Sequence, residues 1–175
     1  TQGKKPMHPL DGLCLDKVLK QSPSALFFSP GINAPLFAKN PFVITVHDLY
    51  FIDMPESSSF LQRLYCNTIL KRACRRSQKI FTDSAFSKQR IIDWSGVCAD
   101  KVIQFDLGVD PSYTPEGRRH QPNYPYLLCI SNRRPHKNEP ALIQAFAKAS
   151  LPDDIKLVFS GNPTESLTQI IGKLD

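Results

Sequence analysis

The chain has 175 residues, 41% of them hydrophobic and 22% charged, with a net charge of +6. That balance excludes a disordered or fibrous chain, and the length suits one ordinary domain or pieces of two. No apolar run reaches the ~18 residues that a membrane-spanning helix needs, and the opening TQGKKPMHPLDG lacks the apolar stretch of a signal peptide. Because the chain opens on Thr1, an initiating segment is expected to have been lost.

Short apolar runs at residues 25–28, 42–46, 79–82, 102–105, 126–130 and 155–159 read as strands. They are nearly continuous rather than alternating, which is the pattern of strands covered on both faces. Helical spacing appears between them at residues 59–76, 84–94, 139–150 and 165–174. Ser59 and Gln62 can form a capping box, and Ser84 and Gly96 can cap the second helix. Strand and helix in alternation predict parallel α/β layers. Residues 110–125 break the rhythm with Pro111, Pro115, Pro122 and Pro125. The predicted organisation is therefore residues 1–110, a linker over 111–123, and residues 124–175.

The cysteines Cys14, Cys66, Cys74, Cys98 and Cys129 are odd in number and scattered. They imply neither a disulfide framework nor a zinc site, but buried thiols in a reducing cytosol. The basic cluster Lys71, Arg72, Arg75, Arg76 and Lys79 reads as a solvated helix face. Nothing interleaves aromatic and basic residues as RNA-binding sheets do, so no nucleic-acid partner is expected.

Two segments carry candidate chemistry. His47 and Asp48 follow the apolar run 42–46, which sets them at the carboxyl end of a strand, where open parallel sheets bind ligands. His47 can donate to a sugar hydroxyl or a phosphate there, and Asp48 can orient hydroxyls; alternatively His47 is a satisfied structural histidine, with Asp48 capping the next turn. Ser131, Asn132, Arg133, Arg134, His136 and Lys137 form a polar, cationic loop between a strand and a helix. That arrangement suits a diphosphate, or else is a basic surface loop. Weaker candidates are Gly31 and Asn33 after the first strand, Gly161 after the last, and the opening of the helix at Ser84.

Several of these segments, in this order, resemble family 4 glycosyltransferases, in particular their bacterial mannosyltransferase-like group. The segments are FFSPGINAPLF with PFVITVHDLYFIDMP, KIFTDSAFSKQRIIDWSGVCADKVIQFDLGVD, and YLLCISNRRPHKNEPALIQAFAKA. Together they span roughly residues 25–161 with compatible spacing. The resemblance implies the GT-B fold, two Rossmann-like lobes with parallel sheets facing each other across a cleft, both incomplete here. The first would be the acceptor side and the second the nucleotide-sugar side.

It also implies a retaining glycosyltransferase that moves a sugar, such as mannose, from a nucleotide-diphosphate sugar to a saccharide or lipid-linked acceptor. As catalytic residues, His47 would contact the transferred sugar or help orient the reaction centre, and Lys137 would stabilise the charge developing on the leaving group. Lys137 would also hold the diphosphate with Ser131, Asn132, Arg133 and Arg134, while Asp48, Asn33, Gly31, Gly108 and Gly161 would line the cleft. Where the family carries an arginine five residues before the lysine, this chain has Asn132, so Arg133 and Arg134 are the substitutes at hand. Asp106 stands where the family often has asparagine. No metal or other cofactor is expected. The implied place is the cytoplasm, with peripheral contact at the inner face of the membrane left open. The glycine-rich first strand and the paired glutamates E-x(7)-E are expected to lie outside this chain, and without them it is not expected to catalyse efficiently. The alternative is a non-catalytic truncated remnant or an anion- or nucleotide-binding module.

Overall fold

The computed structural model describes Met7 and residues 10–172. The chain divides into two compact units, Thr1–Val109 and Asp110–Asp175.

The first unit is built on a four-stranded parallel sheet in the order β1-β2-β3-β4, formed by β1 Phe27–Ser29, β2 Phe42–Thr45, β3 Lys79–Thr82 and β4 Val102–Gln104. Register pairs Phe28 with Val43, Ile44 with Ile80, and Ile80 with Val102. Phe42, Ile44, Ile80 and Val102 thus share one face, and all are fully buried. Against them pack Leu70, Ala73, Cys74 and Ile91 from the crossover helices. Each buried aliphatic side chain of this kind contributes roughly 1.5–3 kcal/mol.

The crossover between β2 and β3 contains α2 Tyr50–Asp53, α3 Phe60–Tyr65 and α4 Lys71–Arg76. α5 Ala85–Ser95 connects β3 to β4. The expected caps form. Ser59 N–H donates to Gln62 Oε1 at 2.8 Å while Gln62 N–H donates to Ser59 Oγ at 3.2 Å. Ser84 Oγ accepts from Ser87 N–H at 3.1 Å, and Gly96 ends α5 in the left-handed region at φ 72°. The Ser84 turn therefore serves as a plain N-cap.

Four features depart from the sequence expectations. The single helix predicted over 59–76 is interrupted by a π turn, Cys66–Leu70, between α3 and α4. Thr68 Oγ1 donates to the Leu64 carbonyl at 2.6 Å, an intrahelical bond of the sort that bends a helix. An additional helix, α1 Asp11–Leu19, precedes β1. Its Gly12 lies so close to residues 34–36 that an added Cβ would stand 2.6 Å from Leu36 Cγ. Asp16 anchors it by accepting from Phe37 N–H at 3.0 Å and Ala38 N–H at 2.8 Å.

The third departure concerns the sheet's second face. Phe28 and Ile103 are exposed there, with Phe28, Phe81 and Phe105 packed edge to face. Nor is the basic cluster wholly solvated. Arg76 donates to the carbonyls of Pro35, Leu36 and Ala38, and Arg75 to that of Ser95.

The second unit is smaller. β5 Tyr126–Cys129 and β6 Lys156–Phe159 pair in parallel, with α6 Glu139–Lys148 between them and α7 Glu165–Ile171 after. Ile143 and Leu167 are buried, whereas Leu127 and Leu128 are about half exposed. The end of the helix expected over 165–174 lies outside the described residues. Both units are thus parallel α/β layers of the Rossmann-like kind.

Candidate functional site

In the first unit, the carboxyl edge of the sheet opens into a cavity of about 290 Å³, near the lower end for ligand sites. Its polar wall is Gly31, Asn33, His47 and Asp48, four of the residues singled out in the sequence. Its apolar wall is Ile32, Leu49, Phe51, Cys66 and Leu70. Gly31 arrives on the loop after β1, tied down where Thr45 N–H donates to its carbonyl at 3.3 Å. A Cβ on Gly31 would meet nothing within 4 Å, so the wall is open at that point. The π turn supplies Cys66 and Leu70, so the helix irregularity shapes the pocket.

His47 is not a core histidine, because its side chain is 51% exposed. Its Nδ1 lies 3.1 Å from Asp83 Oδ2, at the end of the neighbouring strand. Asp48 does cap the next turn: its Oδ1 accepts from Tyr50 N–H at 2.9 Å, which leaves Oδ2. Asn33 Nδ2 donates to Asp11 Oδ2 at 2.6 Å. Sequence reasoning missed Asp83, Asp11 and Cys66. For Asp83 a partial signal existed: it directly follows the apolar run 79–82, as His47 follows the run 42–46, and the observed register then sets the two side by side.

Burial pushes the Cys66 thiol from its ordinary 9.0 up to about 11. It pushes Cys74 to about 12, against a smaller downward pull from Lys101. The Tyr65 phenol also rises to about 12, through burial first and then the nearby Asp11 charge. Each group is neutral when protonated, so folding favours the protonated form. The stability this brings is complete below pH ~9 and is lost as pH climbs through 11 to 12. In the folded chain at pH 8, Cys66 should hold about a hundredfold less thiolate than an unperturbed thiol. Alkylation read by peptide mass spectrometry should therefore label exposed Cys98 first and spare Cys66 and Cys74. Equal labelling of Cys66 and Cys98 would show that the cavity wall is not closed around the thiol.

In the second unit the loop after β5 places Ser131, Asn132, Arg133, Arg134 and Lys137 together, with Gly161 on the adjoining loop after β6. Arg133, at φ 60°, turns inward: Nη1 donates to Glu139 Oε1 at 2.9 Å and Nη2 to the Ser160 carbonyl at 2.7 Å. Its guanidinium lies 5.1 Å from the Phe159 ring centroid. Ser131 Oγ accepts from Arg133 N–H and Asn132 Oδ1 from Arg134 N–H.

Lys137 ends a 3₁₀ turn, Pro135–Lys137, and is exposed; among the described residues neither it nor Arg134 forms an ion pair. The helix start offers fewer amides than its position suggested. Pro140 has no N–H, and the N–H groups of Ala141 and Leu142 donate to the Asn138 carbonyl. Side-chain charge, more than helix amides, is what this loop presents. Gly108 lies in the exposed stretch after β4.

A parallel α/β sheet with polar side chains converging at its carboxyl edge is a Rossmann-like arrangement. The chain matches Glycosyltransferase Family 4 over residues 15–113, more than half its length, and belongs to that family. Membership makes it a transferase by family resemblance, in a family whose reactions pass a sugar from a donor to an acceptor. No curated protein matches it.

Proposed function

We propose that the chain serves a retaining glycosyltransferase that moves a sugar, mannose being the leading candidate, from a nucleotide-diphosphate donor to a saccharide or lipid-linked acceptor in envelope glycan synthesis. The observation that carries this is the convergence of Gly31, Asn33, His47 and Asp48, from separate loops, on one cavity at the carboxyl edge of the sheet. On this reading the cavity takes sugar hydroxyls, and the loop of Arg134 and Lys137 takes the diphosphate charge without a metal. A lipid-linked acceptor would bring the protein to the cytoplasmic membrane surface. Among the described residues no helix is long and apolar enough to cross a membrane.

The test is transfer by the full-length protein from a panel of nucleotide-diphosphate sugars, with wild type and His47→Ala compared. His47→Ala should cut turnover while the thermal midpoint stays nearly unchanged, since the ring is half exposed and removes no core packing. Unchanged turnover would refute the role of His47. Binding of nucleotide diphosphates without any transfer would favour an anion-binding module.

A further inference from the structure

The polar wall of the first unit's cavity is backed by acids. Asp83 follows β3 directly, and His47 is the one partner of its carboxylate among the described residues, its Oδ1 being buried and unpaired. Asp83 is 21% exposed against 51% for His47, so a ligand reaches the imidazole before the acid. Asp11 repeats the arrangement behind Asn33, at 4% exposure. An ionised carboxylate only accepts hydrogen bonds. Each acid therefore requires an N–H from its partner, which orients the Asn33 amide nitrogen toward Asp11 and requires a proton on His47 Nδ1.

We propose that Asp83 is a positioning residue that holds neutral His47 in the Nδ1–H tautomer, so that Nε2 meets the ligand as a hydrogen-bond acceptor. The inference rests on the reading of this cavity as a sugar subsite and sharpens it. An acceptor nitrogen pairs with a ligand hydroxyl and has nothing to offer a phosphate or carboxylate oxygen. The charges of Asp11, Asp48 and Asp83 around the cavity oppose an anion further. The cavity thus selects an uncharged, hydroxyl-bearing part of a ligand, a sugar ring, and leaves the diphosphate to other groups. The tautomer is set by the hydrogen bond at the other ring nitrogen, as in any carboxylate-backed histidine.

The test is the tautomer itself, read without substrate. In the chain labelled with ¹⁵N-histidine, at a pH where the ring is neutral, long-range ¹H–¹⁵N correlation should show His47 protonated at Nδ1 and bare at Nε2. His47→Gln identifies the signals. Asp83→Ala should move His47 to the Nε2–H tautomer that a free imidazole prefers, with the dispersed amide signals of first-unit core residues such as Ile44 and Ile80 retained as the check on folding. A wild-type chain with His47 in the Nε2–H form overturns the proposal with no variant needed. So does a folded Asp83→Ala chain that keeps the Nδ1–H form. Titration with methyl α-mannoside and with inorganic sulfate, an anion that carries no hydroxyl, separates the two layers of argument. A shift at Nε2 with the glycoside alone supports both. A shift with sulfate alone overturns the acceptor role. The Nδ1–H tautomer with no response to any glycoside or nucleotide sugar defeats the sugar-subsite reading, while the role of Asp83 stands.

Discussion

Replacing Lys137 by alanine in the full-length protein is expected to lower kcat by about a hundredfold or more, the scale of removing one preorganised group that stabilises developing charge. As a glycosidic bond to a diphosphate breaks, negative charge gathers on the leaving group. A cation held there acts more strongly on the transition state than on the bound donor. The structure favours Lys137 for that task over its neighbours. Its amine is exposed and carries no ion pair among the described residues, whereas the Arg133 guanidinium is occupied. With Pro140 in the first turn of α6 and the next two amides bonded to Asn138, side-chain charge must carry most of the work. Steady-state kinetics on the donor found in the panel assay give the check. A rise in KM with kcat intact would make Lys137 a binding residue only.

Arg133→Ala is expected to destabilise the fold by about 3–5 kcal/mol, the usual consequence of stripping one partner from a buried ion pair. Glu139 is 5% exposed and Arg133 16%, so the carboxylate left behind has little water to turn to. The Ser160 carbonyl would lose its donor as well, loosening the loop that carries Gly161. The backbone strain at φ 60°, of order 1 kcal/mol, is relieved only slightly by alanine and does not offset this. Urea unfolding measures the loss. The double variant Arg133→Met, Glu139→Leu should recover most of it, because it removes both buried charges together. If Arg133→Ala instead left unfolding unchanged and weakened nucleotide-diphosphate binding, the arginine would be a ligand for the diphosphate, as the family resemblance implied.

What was readable from the residues alone was local or periodic. The capping box at Ser59 and Gln62, the N-cap at Ser84 and the left-handed Gly96 depend on contacts within a turn, and neighbouring residues suffice to specify them. The parallel strands showed in runs such as residues 42–46, and the position of His47 and Asp48 at a strand's end followed from the run before them. The ordered segments also pointed to the family whose match the chain bears. Tertiary structure decided what depends on distant partners. Asp83 stands beside His47 because two strands pair in one register, across a separation of 36 residues. The π turn that carries Cys66 and Leu70 to the cavity interrupts a helix whose apolar spacing looked continuous. Of the cations in the second loop, the sequence could not tell which was spent. Only the fold buries Glu139 beside Arg133 and leaves Lys137 in water, because burial is a property of packing and not of spacing.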